Sequence, residues 1–358
     1  LGARVKEDGI ERGLDALLTE SARIRKFGVT ESELSRAKTD LLRGLERANE
    51  ERDKTQSRQY AMEYMRNFLE KEPIPGIENE FEFARSLIPT IRVDEINALV
   101  NQYITDSNRV IMVSMPEKEG VHVPTEAELA AVFQKAAARD IQAYEDKVSD
   151  EPLVANPPQP GTIAAESRIE ELGLTEWTLS NGIRVRLKPT DFKNDEILFD
   201  GFSWGGTSLG EDKDWWSINM AASIVRMSGI GNFDRIQLQK KLTGKVAGVY
   251  TSLGQLTDGV SGNCSPKDME TMFQLIYLYC TAPRRDEAAF EALKAQMKGV
   301  IENRSARPEN VFSDTVSVVM GSHHPRSMPW TLERLGEIDL DRALEFYRDR
   351  FADCGDFM

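Results

Sequence analysis

The chain repeats part of itself, and that constrains its fold more than any other feature. Residues 31–46 align with residues 287–302, setting Glu31 on Glu287, Leu34 on Phe290, Lys38 on Lys294, Leu41 on Met297, Leu45 on Ile301 and Glu46 on Glu302. A second match sets 91–112 against 338–358, pairing Asp94 with Asp341, Leu99 with Phe346 and Asp106 with Asp353. A unit of this length is too long for a solenoid repeat and implies tandem domains of one fold. In the first copy the pattern runs on into an apolar stretch, Arg109 to Ser114, that reads as a strand. The second copy stops at Phe357-Met358, where that strand would begin. The sequence therefore reads as an internal piece of a larger protein, with Met358 at a cut.

A length of 358 residues suits two or three domains, and 40% apolar with 8% aromatic residues is a globular composition. The 45 basic against 59 acidic residues leave a net charge of −14, with no basic stripe. That balance argues against nucleic acid and anionic membrane surfaces as partners. No apolar run approaches the roughly 20 residues of a membrane span. The chain opens on Leu1-Gly-Ala without Met, so the lack of a signal peptide carries no message.

Local patterns give the elements. Ile10, Leu14, Leu17, Leu18, Ala22, Ile24 and Phe27 recur at helical spacing over 8–27, and Gly28 supplies a stop. Thr30-Glu-Ser-Glu33 and Thr125-Glu-Ala-Glu128 are capping-box patterns. The first opens a long, charged amphipathic helix, the second a helix to about Tyr144. The segment 72–78 is a break, Val93–Tyr103 a helix starting near Asp94, and Arg109–Met115 an apolar strand ended by Pro116. Four prolines and little apolar content make 146–170 a semi-extended linker, the expected boundary between domains. Beyond it, alternation on both sides of Asn181-Gly182 over 176–187 marks a hairpin with a type I′ turn. A strand over Glu196–Trp204, a buried helix over Trp215–Met227, and strands over Gly248–Gln255 and Gly259–Asn263 follow. Helices over Met269–Thr281, Asp286–Arg304 and Leu340–Phe351 complete the order. The expected class is α+β: tandem homologous domains, each a mostly antiparallel sheet with helices packed on one face.

Residues able to do chemistry are few. Cys264, Cys280 and Cys354 are scattered, form no C-x-x-C and read as buried or half-buried thiols. The three histidines are His122, His323 and His324. The adjacent pair sits in a loop, Gly321-Ser-His-His-Pro-Arg326, with no ligand at helical spacing, so an ordinary loop pair outweighs a zinc-ligand pair. His122, between Gly120 and Pro124, reads as a surface residue, and no nucleophile stands in a recognisable context. The Gly205-Gly206-Thr-Ser-Leu-Gly210 turn follows a strand and precedes a helix, as a phosphate cradle would. It lacks the Gly-Lys-Ser/Thr ending, and Gly244-Lys245 runs into Val246, so both read as turns. Asn303-Arg-Ser305 is a glycosylation sequon of background quality.

Four runs are specific enough to carry a likeness: Leu179–Thr190 with the following Gly205-Gly206, Met227–Lys245, Ser261–Leu275 and Thr281–Phe290. Together they resemble the insulinase/pitrilysin-type zinc metallopeptidases. In that family four homologous α+β domains form two halves, joined by a linker, that close around a peptide. The resemblance implies that residues 1–145 are the later part of the second, non-catalytic domain and 146–170 the inter-half linker. Residues 171–358 would then be most of the third domain, with the first and fourth domains outside this chain.

The family's catalytic signature is H-x-x-E-H on a helix of the first domain. Two His bind zinc, the Glu is general base for the zinc-bound water, and a distant downstream Glu is the third ligand. Laid on the helix Trp215–Met227, the signature falls on Ala222, Val225 and Arg226, so both ligand histidines and the base are missing. Glu302 lies near the position of the third ligand, and one carboxylate cannot hold zinc alone. The resemblance thus implies no catalytic, metal or cofactor residue in this chain, with zinc expected in the first domain of the parent. The expected function is a non-catalytic segment of a zinc metalloendopeptidase, lining part of its chamber for peptide substrate. The alternative is a piece of a catalytically dead family member acting as a scaffold or peptide-binding subunit. A bacterial periplasmic setting would follow from the family only.

Overall fold

The computed structural model describes residues 1–6, 8–105, 107–115, 120–146 and 149–358. Asp106 of the repeat, Pro116 at the end of the expected strand and residues 147–148 of the expected linker lie outside the described residues. The chain divides into two compact units, one of residues 1–45 and 75–147, the other of 46–74 and 148–358.

Among its described residues the first unit is helical. Helix α1 (Ile10–Phe27) is closed by the Gly28 N–H on Ile24 O at 2.7 Å. Helix α2 (Glu31–Glu50) starts in the expected capping box: the Thr30 N–H donates to Glu33 Oε2 at 2.8 Å and the Glu33 N–H returns to Thr30 Oγ1 at 3.2 Å. Helix α3 (Ser57–Glu70), which belongs to the second unit, precedes the 72–78 break, and α4 (Ile77–Leu87) follows it. Helix α5 (Val93–Tyr103) is tied to the α1–α2 corner, where Asn97 Oδ1 accepts the Val29 N–H at 2.8 Å. Helix α6 (Glu126–Ala137) opens in the second capping box and buries Val132 and Ala136.

Two expectations fail in this unit. Helix α6 ends at Ala137 rather than near Tyr144. Arg139 clamps Asp15 Oδ1 at 2.9 Å and Thr19 Oγ1 at 3.0 Å on α1, and the chain leaves the helix so that Ile141 can be buried. The run 109–115 forms no strand among the described residues, because strand composition without a neighbouring strand makes no sheet. Instead 109–113 line a cleft of about 500 Å³ together with Leu14, Leu17 and Phe133, leaving Val110 and Met112 exposed.

The second unit holds both sheets. Strands β1 (Ile163–Ile169), β2 (Leu174–Leu179) and β3 (Arg184–Leu187) form an antiparallel meander. β1 lies inside the stretch read as linker: its alternating Ala165, Ser167 and Ile169 pair with Thr178, Glu176 and Leu174. Within the same stretch Leu153 and Val154 pack on the core. The hairpin stands where Asn181-Gly182 placed it, but its turn is not type I′. The Gly182 N–H closes on Leu179 O at 3.0 Å, so Ser180 and Asn181 are the central residues, and of the three loop residues only Gly182, which follows them, has a positive φ, +96°. This is the longer loop in which a left-handed glycine follows the turn.

The second sheet, ordered β4-β6-β5, contains β4 (Ile197–Trp204), β5 (Ala247–Leu253) and the central β6 (Thr257–Cys264). On β6 every second residue (Asp258, Val260, Gly262, Cys264) is buried, the period of a strand with one covered face. Helices α7 (Trp215–Ser228), α9 (Met269–Thr281) and α13 (Leu340–Phe351) supply the core with Ala221, Ile224, Val225, Met272, Leu275, Leu344, Tyr347 and Phe351. Each large apolar side chain so buried contributes roughly 1.5–3 kcal/mol. Helices α8 (Arg235–Lys241), α10 (Glu287–Glu302), α11 (Pro308–Met320) and α12 (Leu332–Gly336) complete the unit. α8, α10 and α13 are N-capped by Asp234, Asp286 and Asp339.

The repeat has structural counterparts: α2 corresponds to α10 and α5 to α13. The one buried residue of α2, Leu34, aligns with the one buried residue of α10, Phe290. The joint that Asn97 makes with Val29 in the first copy is made in the second by Arg285, whose Nε donates to Asp341 Oδ1 at 2.7 Å. Among the described residues the whole is α+β, with two small antiparallel sheets, the second of them packed against α7 and α9.

Candidate functional site

Helix α7 is where a catalytic signature would sit. Its sequence Trp-Trp-Ser-Ile-Asn-Met-Ala-Ala-Ser-Ile-Val-Arg-Met-Ser is apolar around most of its circumference, so it is buried along its length. Val225, at the position of the general base, is 0% exposed and sits in the core. Ala222 is half-buried against the same core and offers no donor atom. Arg226 is exposed, its Nη2 3.4 Å from Ser223 Oγ. Its charge opposes the burial that pushes the Tyr279 hydroxyl upward. Glu302 ends α10, a helix that packs along α7, and its carboxylate lies 3.7 Å from Lys298 Nζ.

A zinc ion does not fit these residues. Ala222 and Val225 have nothing to coordinate with, a guanidinium is permanently cationic, and Glu302 would be a single ligand where three are needed. Among the described residues no group of three or more His, Cys, Asp or Glu could hold a metal.

The remaining candidates are engaged in local structure. His324 caps a short turn, its Nδ1 accepting the Arg326 N–H at 3.2 Å, and His323 sits in a left-handed conformation with φ +58°. His122 Nε2 lies 3.1 Å from both Glu128 oxygens. The Glu128 carboxyl is held below its ordinary value chiefly by the Thr125 N–H. In the Gly205–Gly210 turn the N–H groups already have partners. Those of Gly205, Thr207 and Ser208 donate to carbonyls across the turn, and that of Gly206 donates to Asp258 Oδ2 at 3.2 Å. None is left to cradle a phosphate, which needs free amides. Lys245 Nζ pairs with buried Asp268 at 3.1 Å, and Asn303 Nδ2 donates to Gly299 O at 2.8 Å.

One neighbourhood escaped the sequence reading: Cys280, at the end of α9, and Cys354, just past α13, pack into the same core cluster. Their wide separation in sequence gave no signal of it.

No family model matches the chain. A zinc protease PQQL-like protein of Arabidopsis thaliana is 27% identical over 339 residues, covering 94% of this chain and 33% of that protein. The periplasmic protease PqqL of Escherichia coli superposes with a TM-score of 0.53 at 18% identity, covering 98% of this chain and 39% of that one. The ferredoxin protease FusC, solved in complex with Arabidopsis ferredoxin, gives a TM-score of 0.58 at 15% identity over 96% of this chain and 38% of its own. The chain thus spans about a third of the length of the curated relative it matches. The structural neighbours show the fold, a helix-covered α+β arrangement shared with PqqL and FusC, and in sequence the chain is similar to zinc proteases of the PqqL kind.

Proposed function

We propose that this chain is a non-catalytic segment of a zinc metalloendopeptidase and forms part of the wall of its substrate chamber. On this reading residues 1–145 are the later part of a second domain and 171–358 most of a third. The connecting stretch joins the two halves, and the zinc and its ligands belong to the first domain of the parent. The observation that carries the reading is the filling of the signature positions on α7. Val225 stands in the dry core where the general base would have to meet water, and Ala222 and Arg226 replace the two histidines. The segment contributes shape and support, while hydrolysis is done elsewhere in the parent protein.

The test compares the 358-residue chain with the full-length parent, by metal analysis and by hydrolysis of a quenched fluorescent peptide library. The chain alone is expected to hold no stoichiometric zinc and to cleave nothing, and the parent to do both. Stoichiometric zinc or hydrolysis by the chain alone overturns the proposal. A parent without zinc or hydrolysis makes the whole protein a scaffold or peptide-binding subunit.

A further inference from the structure

Resting on the domain assignment proposed above, we propose that the open face of the first unit, built by α1, α5 and residues 109–113, is a docking surface for an antiparallel sheet from the part of the second domain that precedes Leu1. An edge strand of that sheet pairs with 109–113 at Ile111. The two copies of the repeat differ in what covers the same positions. Helix α13 buries Leu340, Ala343, Leu344, Phe346, Tyr347 and Phe351, whereas none of the described residues of its counterpart α5 is buried. Leu99 is exposed where the matching Phe346 is buried, and Val110 is 87% exposed where the matching Phe357 is 7% exposed. The first copy is no less apolar for that: Val93, Ile96, Val100 and Ile104 stand where the second has Leu340, Ala343, Tyr347 and Phe351.

The second copy shows what such a face packs against. There α9 and α13 share one core with the sheet β4-β6-β5, and the segment after α13 joins the sheet. Met358 and Phe202 of β4 exchange both backbone hydrogen bonds at 2.9 Å, which marks an antiparallel pair, and Phe357 O accepts the N–H of Arg184 on β3 at 3.2 Å. In the register that sets Asp94 on Asp341, Ile111 falls on Met358. Helix α1 precedes α2 as α9 precedes α10, and its Leu14 and Leu17 line the cleft of about 500 Å³ with 109–113. Exposure alternates along that run, Ile111 at 42% and Val113 at 38% against Met112 at 86% and the open Val110, which is the period of a strand with one face toward helices.

The second copy also identifies the occupant. Apolar positions that a sheet buries there are matched by apolar positions left open in the first unit, so the cover that fits is a sheet rather than a lone helix. In chain order β4, β5 and β6 lie before α9 and α10, so their counterparts belong before α1 and α2. On the proposed assignment that is the earlier part of the second domain. The docking strand carries apolar side chains toward the helices, as Ile197 and Phe199 of β4 do, and offers its backbone N–H and C=O to Ile111. Main-chain bonds hold such a strand in place, and the side chains that meet Val110 and Met112 set its register.

The test is hydrogen exchange read by mass spectrometry on the 358-residue chain and on the full-length parent, with a photo-crosslinker placed at Met112 of the parent as a second measurement. The Ile111 amide is expected to exchange on the order of 100-fold more slowly in the parent than in the chain alone. The crosslink is expected to join position 112 to a residue before Leu1 of the same molecule. Equal exchange in the two proteins, or a crosslink to a second molecule, to a bound peptide or to residues after Met358, would overturn the proposal. The exchange of the unaltered parent decides the matter even if the crosslinker variant does not fold. Zinc and hydrolysis are not read here, so the two proposals fail separately. A zinc-holding, active parent whose Ile111 amide is unprotected loses the docking surface alone, and an inactive parent whose Ile111 amide is protected loses the peptidase reading alone.

Discussion

Arg350 and Asp258 form an ion pair inside the second unit: the guanidinium, on α13, donates to one oxygen of a carboxylate that is 0% exposed on β6, at 2.9 Å from Nε and 2.8 Å from Nη2. The same Asp258 oxygen accepts the Gly206 N–H at 3.2 Å, and Arg350 Nη2 reaches Trp204 O at 3.4 Å. One guanidinium therefore latches the last helix to the turn that follows β4. Removing one partner of a buried pair strands the other charge. Arg350→Ala is thus expected to cost about 3–5 kcal/mol in urea unfolding. The double change Arg350→Met with Asp258→Asn should cost clearly less, and equal costs would show that lost packing, not a stranded charge, sets the effect.

The turn that this latch holds depends on Gly206. Its φ is +60°, and a Cβ there would run into the backbone oxygen of Gly254 and lie 2.7 Å from the Thr257 nitrogen. The left-handed conformation alone costs an L-residue roughly 1–2 kcal/mol, and both obstacles are backbone. Gly206→Ala is therefore expected to lower stability by more than about 2 kcal/mol. A thermal midpoint within a degree or so of the parent chain's would contradict this.

On α7 Val225, where the resemblance lays the general base, is fully buried in the core. Val225→Glu places a charge in that buried site, at an expected cost of about 2–4 kcal/mol near neutral pH. Arg226→His, on the exposed face, should stay within about 0.5 kcal/mol. If Val225→Glu proved as mild as Arg226→His, the core would be more open to solvent than its packing indicates.

What the sequence disclosed and what it hid follow from the range of the forces involved. Capping boxes at Thr30 and Thr125 are local, and both form. The apolar spacing of α7, α9 and α13 is strong because these helices face the core, so their bounds came out within a residue or two, and the bounds of α7 put Ala222, Val225 and Arg226 on one helix. Pairing partners are not local. Arg109–Ser114 has strand composition but forms no strand among the described residues, while Ile163–Ile169, beside a proline-rich run, gains a partner strand in β2. The hairpin was visible in Asn181-Gly182, yet its register, and with it the turn type, was set by how β2 and β3 pair. The short α8 lacks a continuous apolar stripe and left little trace, and α11 carries one, Phe312, Val316, Val319 and Met320, that stays exposed and escaped the sequence reading. Contacts between distant segments, such as Arg350 with Asp258, leave no mark in the sequence.

The cap of α10 makes stability depend on acid in a predictable direction. Asp286 accepts the Ala289 N–H at 3.0 Å, and Arg284 lies 3.3 Å away. The backbone bond first, and then Arg284, hold this carboxyl below its ordinary value against the effect of burial. A carboxyl depressed in the folded state stabilises the fold above its unfolded pKa of about 3.9, and that contribution is lost as the pH falls through the folded value. Asp286→Ala is therefore expected to cost about 1 kcal/mol at neutral pH, as the loss of a cap does, and progressively less below about pH 4. Asp286→Asn keeps an acceptor oxygen but not the charge. It should match the parent chain in acid and fall behind it as the pH rises toward about 4, with the full gap reached by about pH 5. Urea midpoints at a series of pH values measure both differences. A gap between Asp286→Asn and the parent chain that stayed constant from pH 3 to pH 7 would mean that the carboxylate charge plays no part in the cap.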